Sequence, residues 1–284
     1  MPFHHPNLKN RVAVVTGGGG VLCGAFAQVL AQQGVKVAVL DLKFDAAKRV
    51  ADSITAQNGI AAAIACDVLD ASSLQAAKQI VHETFGACDL LINGAGGNHP
   101  SGTTSKETLS PEDLTAKQAG VTTFFDLDPD GISRVFNLNF LGTLLPTQIF
   151  AHDLAQSPHG AIVMITSMNA IRPLTKIPAY SAAKAAVSNF TQFMAVHFAD
   201  VGIRVNAIAP GFFSTQQNKT LLWNDDGTPT SRSEKILAAT PMHRFGLPEE
   251  LSGALLFLCD ETYSSFVTGS TLAIDGGFSA YSGV

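Results

Sequence analysis

Short apolar, β-branched runs alternate with stretches of helical period from Val12 almost to the C-terminus, and this alternation constrains the fold more than any other feature. It is what βαβ units require, because a parallel strand needs a crossover long enough to return the chain to the same edge of the sheet. Strands are expected at residues 12–15 (VAVV), 36–40 (KVAVL, closing on Asp41), 61–66, 89–93, 161–166, 203–208 and 271–274. Helices are expected over Ala25–Gln33, from Ala46, from Ala71, over Gly131–Ala155, over Pro178–Asp200 and from Pro248. The strand runs are apolar along nearly their whole length, as strands covered on both faces are. The pattern predicts an α/β chain, doubly wound, with a seven-stranded parallel sheet and helices on both faces. No repeat, low-complexity tract or Pro/Ser-rich linker interrupts it, so residues 1–284 read as one domain.

Composition narrows the function classes. With 18 basic against 23 acidic residues and a net charge of -5, the chain lacks the concentrated positive field used to bind nucleic acid or anionic membranes. No run approaches the length of a membrane span, and the opening MPFHHPNLKN has no apolar signal core, so a soluble cytoplasmic protein is expected. Cys23, Cys66, Cys88 and Cys259 form no CxxC pair and sit in apolar runs. They read as packing residues, and no metal site is expected.

Two motifs carry chemistry. The first is VVTGGGGVLCG, between the first strand and the first helix. Glycines there let the backbone turn tightly and approach a pyrophosphate, whose charge suits the N–H groups of a helix N-terminus, although glycine-rich βα turns without a ligand also occur. Asp41, at the end of the second strand, could accept hydrogen bonds from both ribose hydroxyls of an adenosine and would repel a 2′-phosphate. Together they favour NAD over NADP. The second motif is Tyr180-Ser-Ala-Ala-Lys184, whose spacing puts a phenol and an ammonium about one turn apart on one helix face. A cation there stabilises phenolate, which suits an acid/base exchanging a proton with an alcohol or carbonyl oxygen. Two connections are long, 97–130 and 211–241, and both follow strand ends where open α/β sheets bind ligands, so both are assigned to the substrate side.

In order come the glycine turn, Asp41, Asp67-Val68, Asn93-Gly-Ala-Gly96, Asn139, Ser167, the Tyr180/Lys184 pair, Pro210-Gly211 and Asp275-Gly276-Gly277. With this set the chain resembles the short-chain dehydrogenase/reductase family from about Asn10 onward. The resemblance implies a Rossmann-type fold, NAD as cofactor and a homotetramer built on the helices around 139–155 and 178–200. It implies Tyr180 as acid/base, Lys184 on the nicotinamide ribose and lowering the tyrosine pKa, Ser167 polarising the carbonyl, and Asn139 holding a relay water. Cofactor contacts are implied at Gly17, Gly20, Val21, Leu22, Asp41, Asp67, Val68, Asn93, Ala95, Gly96, Tyr180, Lys184, Pro210, Gly211 and Thr215. The chain departs from the family's TGxxxGxG turn, because Val21 and Cys23 stand where glycines are usual. That puts the path of the turn in question.

GNHP after Gly96, SMNAIRPLTKIPAYSAAK, NAIAPGFF, NDDGTP and DGGFSAYSGV are similar to the branch of the family that interconverts D-mannonate and D-fructuronate. A hexuronate brings a carboxylate and several hydroxyls, so its pocket should offer a cation and polar donors. Arg172 is the candidate for the carboxylate, since a guanidinium grips it in two-pronged fashion; Lys176 is the second, and both could instead be solvated loop residues. Asn98, His99, Ser167 and Asn169 complete the expected substrate set. Another sugar acid, a polyol or a 3-oxoacyl thioester remains open as substrate, and so does a catalytically silent NAD-binding sensor.

Overall fold

The computed structural model describes residues 5–115, 118–215 and 222–283; residues 1–4 of the opening, 116–117 and 216–221 of the two long connections, and residue 284 lie outside this description. All seven expected strands form: β1 (Val12–Thr16), β2 (Lys36–Asp41), β3 (Ile60–Ala65), β4 (Leu90–Asn93), β5 (Ala161–Ile165), β6 (Arg204–Pro210) and β7 (Thr271–Ile274). They make one parallel sheet in the order β3-β2-β1-β4-β5-β6-β7. The chain winds outward from β1 to β3 and then returns to β4 on the other side of β1. This reversal leaves a crevice at the carboxyl ends of β1 and β4, where such sheets bind ligands.

Both faces of the sheet are covered, which is why the strands carry no polar alternation. On one face Phe26 and Leu30 of α1 (Val21–Gln32), Ala47 of α2 (Phe44–Ala56) and Leu255 of α8 (Ser252–Cys259) pack on Val15, Val37 and Val39. On the other, Leu74 and Val81 of α3 (Ala71–Thr84), Phe150 and Leu154 of α5 (Gly142–Gln156) and Val187 of α6 (Pro178–His197) pack on Val14, Leu91 and Ile162. Each fully buried Leu or Phe contributes about 1.5–3 kcal/mol over its exposed form. These layers, with no disulfide, hold the fold; all four cysteines are free and buried.

Three elements differ from expectation, each where it matters for the site. The helix expected over Gly131–Ala155 is split into α4 (Pro129–Phe136) and α5 by a π-turn at Asn137–Leu141. The Asn139 side chain causes the widening locally: its Nδ2 donates to the Val135 carbonyl at 2.8 Å, a bond that competes with the regular backbone ladder. α1 begins at Val21, four residues before the expected Ala25, with Gly20 at its N-cap. Finally, the 211–241 connection contains α7 (Ser231–Ala239), started by Thr230, whose side chain accepts from the Ser233 amide. Its sequence SRSEKILAA is too polar to announce a helix, and only Ser233 and Ile236 are buried.

Candidate active site

The end of β1 is tied to the end of β4 by Thr16, whose Oγ1 accepts from the Gly94 and Ala95 amides at 3.1 and 3.2 Å. Gly17 follows with φ +63°, and a Cβ there would lie 2.9 Å from the Ala95 Cα, so only glycine fits between the two strand ends. The Gly20 amide donates to the Gly17 carbonyl at 3.0 Å, closing the turn, and Val21 and Leu22 enter the first turn of α1. No side chain caps that helix, so its first N–H groups are available to an anion. The departure from the usual glycine pattern has a local accommodation. Cys23 is buried in the first turn of α1, and a Cβ on Gly94 would collide with its Sγ, so the cysteine requires a glycine on the facing loop.

Asp41 ends β2 beside this turn. Its Oδ2 accepts from the Gly19 amide at 3.0 Å and its Oδ1 from the Lys43 amide at 2.9 Å, which points the carboxylate into the crevice mouth. Asp67 and Val68 leave β3; Asp67 Oδ1 accepts from the Leu69 amide at 2.9 Å, and Val68 packs beside Gly142. Asn93 is buried at the end of β4 and donates to Thr147 Oγ1 at 2.9 Å. Gly96 passes close to the catalytic side chains: a Cβ there would lie 2.6 Å from Asn139 Oδ1 and 3.1 Å from Lys184 Nζ. Pro210 ends β6, and the Gly211 amide donates to the Ile274 carbonyl at 2.9 Å. Thr215 lies just beyond the Phe213–Gly246 bridge. Every expected cofactor residue therefore borders the carboxyl edge of the sheet. The cradle fits a dinucleotide with a free 2′-hydroxyl, since Asp41 would repel a phosphate there. Asp41→Ala is accordingly expected to narrow the preference for NAD over NADP, measured as the ratio of kcat/KM values; an unchanged ratio would remove Asp41 from cofactor choice.

Ser167, Tyr180 and Lys184 meet where β5 gives way to α6. Lys184 is buried, and its Nζ donates to the Ile165 carbonyl at 2.8 Å while lying 5.7 Å from the Tyr180 ring centroid. Burial pushes its pKa down to about 8. The Tyr180 phenol is raised above its ordinary value by burial, an effect that its hydrogen bond with Ser167 opposes. In the protein without cofactor burial outweighs any lowering of the Tyr180 pKa by Lys184, whose Nζ is engaged by the Ile165 carbonyl. Asn139 clamps the facing turn. Its Oδ1 accepts from the Gly97 amide at 3.2 Å, and its Nδ2 donates to the Gly97 carbonyl at 2.7 Å. Both N–H donors are thus engaged, leaving a lone pair on Oδ1. Chemically, the cluster can hold one oxygen between a serine hydroxyl and a phenol and exchange a proton with it.

A cavity of about 750 Å³ opens above Tyr180 and Ser167. Asn98 and Asn169 line it; Asn98 donates to Thr103 Oγ1 at 3.0 Å, and the Asn169 Oδ1 is buried with no hydrogen-bond partner. Two expected substrate residues stand elsewhere. Arg172 is exposed, does not line the cavity and donates through its Nη1 to the Tyr281 carbonyl, because the 3-10 turn Met168–Ala170 carries it toward the C-terminal segment. His99 also stands outside the lining: its Nδ1 caps the short turn that follows by accepting from the Ser101 amide at 3.3 Å. Lys176, the second candidate, does line the cavity, at φ +72°. A side chain in that left-handed conformation costs roughly 1–2 kcal/mol, and the Thr104 amide holds it there by donating to the Lys176 carbonyl at 2.8 Å. Glu107, Arg232 and Lys235 complete the charged lining. Sequence reading missed them because they lie in the two long connections, which carry no motif.

A strand-end crevice for a dinucleotide, beside a tyrosine–lysine–serine cluster, defines a nucleotide-dependent oxidoreductase. Residues 22–279 match the family described as enoyl-(acyl carrier protein) reductase, and the chain belongs to the short-chain dehydrogenases/reductases. It is 55% identical to the uncharacterized oxidoreductase UxuB of Bacillus subtilis over 99% of both chains. It is similar to a structure from Haemophilus influenzae, described as a candidate D-mannonate oxidoreductase with bound NAD, at a TM-score of 0.94, 53% identity and 99% and 98% coverage. It also resembles the 7α-hydroxysteroid dehydrogenase complexed with NADH and 7-oxo glycochenodeoxycholic acid, at a TM-score of 0.81, 30% identity and 97% coverage of each chain. Among the described residues no helix is long and apolar enough to cross a membrane, and no cluster of His, Cys, Asp or Glu could hold a metal.

Proposed function

We propose that this chain is a cytoplasmic NAD-dependent dehydrogenase that interconverts D-mannonate and D-fructuronate within one domain. The observation that carries the reading is the lining of the cavity over Tyr180, where Asn98, Asn169, Lys176, Arg232 and Lys235 offer amides and cations to a polyhydroxy acid. Apolar side chains such as Met168, Leu174, Phe212 and Phe278 share the lining, so it is the added amides and cations, for which a steroid or an acyl thioester has no use, that favour the acid. The Haemophilus protein of 53% identity, described as a candidate D-mannonate oxidoreductase, supports the same substrate.

NAD, when bound, supplies the acceptor for the hydride from C5 of the acid. Ser167 donates a hydrogen bond to the C5 oxygen, and Tyr180 takes the hydroxyl proton as the ketone forms. Lys184 reaches the nicotinamide ribose and places positive charge beside the phenolate. Asn139 positions the Gly96–Gly97 turn, and the lone pair on its Oδ1 is where a relay water would bind. Asp41 takes the adenosine ribose. The reading includes a homotetramer joined through the exposed apolar face of α5 and α6, where Phe193 and Val196 face solvent.

The test is NADH formation from a panel of hexonates, neutral polyols and hydroxyacyl thioesters. D-mannonate is expected to give the highest kcat/KM. Activity on polyols or thioesters with none on any hexonate would overturn the substrate and leave the dehydrogenase class standing.

A further inference from the structure

Four charged residues line the cavity, and one of them is an anion. Glu107, from the first long connection, reaches Lys235 of α7, 128 residues further along, at 2.8 Å. Lys235 and, less strongly, Lys176 hold the Glu107 carboxyl below the usual range, so the carboxylate lies within the field of both ammonium groups. Among the described residues, Lys176 has no carboxylate within ion-pair distance. All three border the same cavity as Ser167 and Tyr180.

We propose that Lys176 and Lys235 form the subsite for the substrate carboxylate, and that Glu107 occupies this subsite in the free protein as an internal stand-in which the substrate displaces. The inference rests on the reading of the substrate as a sugar acid. Three physical points support it. The reacting carbon of D-mannonate is C5 and its carboxylate is C1, at the other end of the carbon chain, so the cation belongs on a part of the cavity wall other than the catalytic helix; Lys235 comes from α7 and Lys176 from the segment that precedes α6. Lys176 is kept in a left-handed conformation by the Thr104 amide, and strain of this kind persists where a side chain must be aimed. Glu107 is half exposed, so it can swing into water when another carboxylate takes its place. No bond is made or broken in the exchange: one charge-assisted pair replaces another.

The displacement fixes the signs of three variants. Lys235→Met and Lys176→Met remove a charge-assisted pair to the substrate, and each is expected to raise KM for D-mannonate about tenfold or more with kcat little changed, and to raise KM for D-mannitol far less. Glu107→Gln removes the internal competitor and is expected to lower KM for D-mannonate a few-fold. Binding of D-mannonate to the NAD-loaded protein by calorimetry supplies the second readout. Equal losses on acid and polyol in the lysine variants would make these lysines structural and overturn the subsite. A rise in KM for Glu107→Gln would make Glu107 a direct substrate contact and overturn the displacement. Lysine-dependent binding of D-mannonate without turnover would keep the subsite and remove the proposed reaction. Turnover of D-mannonate that is insensitive to both lysines would do the reverse, and absence of both binding and turnover would remove both.

Discussion

Tyr180→Phe is expected to lower turnover by about 10² to 10⁴, the usual loss when a positioned acid/base is removed, equivalent to about 3–5 kcal/mol of barrier. The change deletes one oxygen and keeps the ring. Its packing and the 5.7 Å approach of Lys184 to the ring therefore survive, and the variant should fold and bind NADH as the wild type does. What it loses is the group that shares a hydrogen bond with Ser167 and faces the cavity. Steady-state rates beside NADH affinity, measured by fluorescence, check both halves. Turnover within a few-fold of wild type would take the tyrosine out of the mechanism. In the oxidation direction the wild-type rate should also rise with pH, because the phenol must give up its proton to act as base, and burial makes that harder near neutrality.

Lys184→Met should be nearly as damaging to turnover, by about 10² or more, and it carries an independent signature in stability. In the protein without cofactor, burial holds the Lys184 pKa at about 8, below its ordinary 10.5. Below pH 8 both folded and unfolded chains carry the proton, and the full cost of the buried charge is present. Between pH 8 and 10.5 the folded chain has released the proton while the unfolded chain still holds it, so wild-type stability rises with pH through that window. Methionine has no such proton. The melting temperature of the wild type should therefore gain on that of Lys184→Met as pH goes from 8 to 10.5, and the difference should be flat from pH 6 to 7.5. The methionine also leaves the Ile165 carbonyl without its 2.8 Å donor, a constant cost of about 1–3 kcal/mol that shifts the curves without changing their slope. Parallel curves across the whole range would show that Lys184 is not a buried charge in the free protein.

The alternation of apolar runs and helical stretches determined the sheet, because the seven strands are buried on both faces and so had to be written as uninterrupted apolar segments. The glycine turn, Asp41 and the Tyr180/Lys184 spacing were legible for the same kind of reason: each is a short-range requirement of backbone conformation or helix geometry, recorded in neighbouring residues. Tertiary structure decided what depends on contacts between distant segments. The π-turn at Asn139 exists because one side chain bonds both Val135 and the Gly97 turn 42 residues away. Arg172 has the right chemistry and the right distance from Ser167 along the chain, yet a single 3-10 turn sends it to Tyr281. The charged wall of the cavity comes from Glu107 and Lys235, which no period relates. Loops satisfy their backbone groups through whichever partners the fold brings near, so the direction of a loop side chain is a property of the packed molecule and leaves no local mark in the sequence.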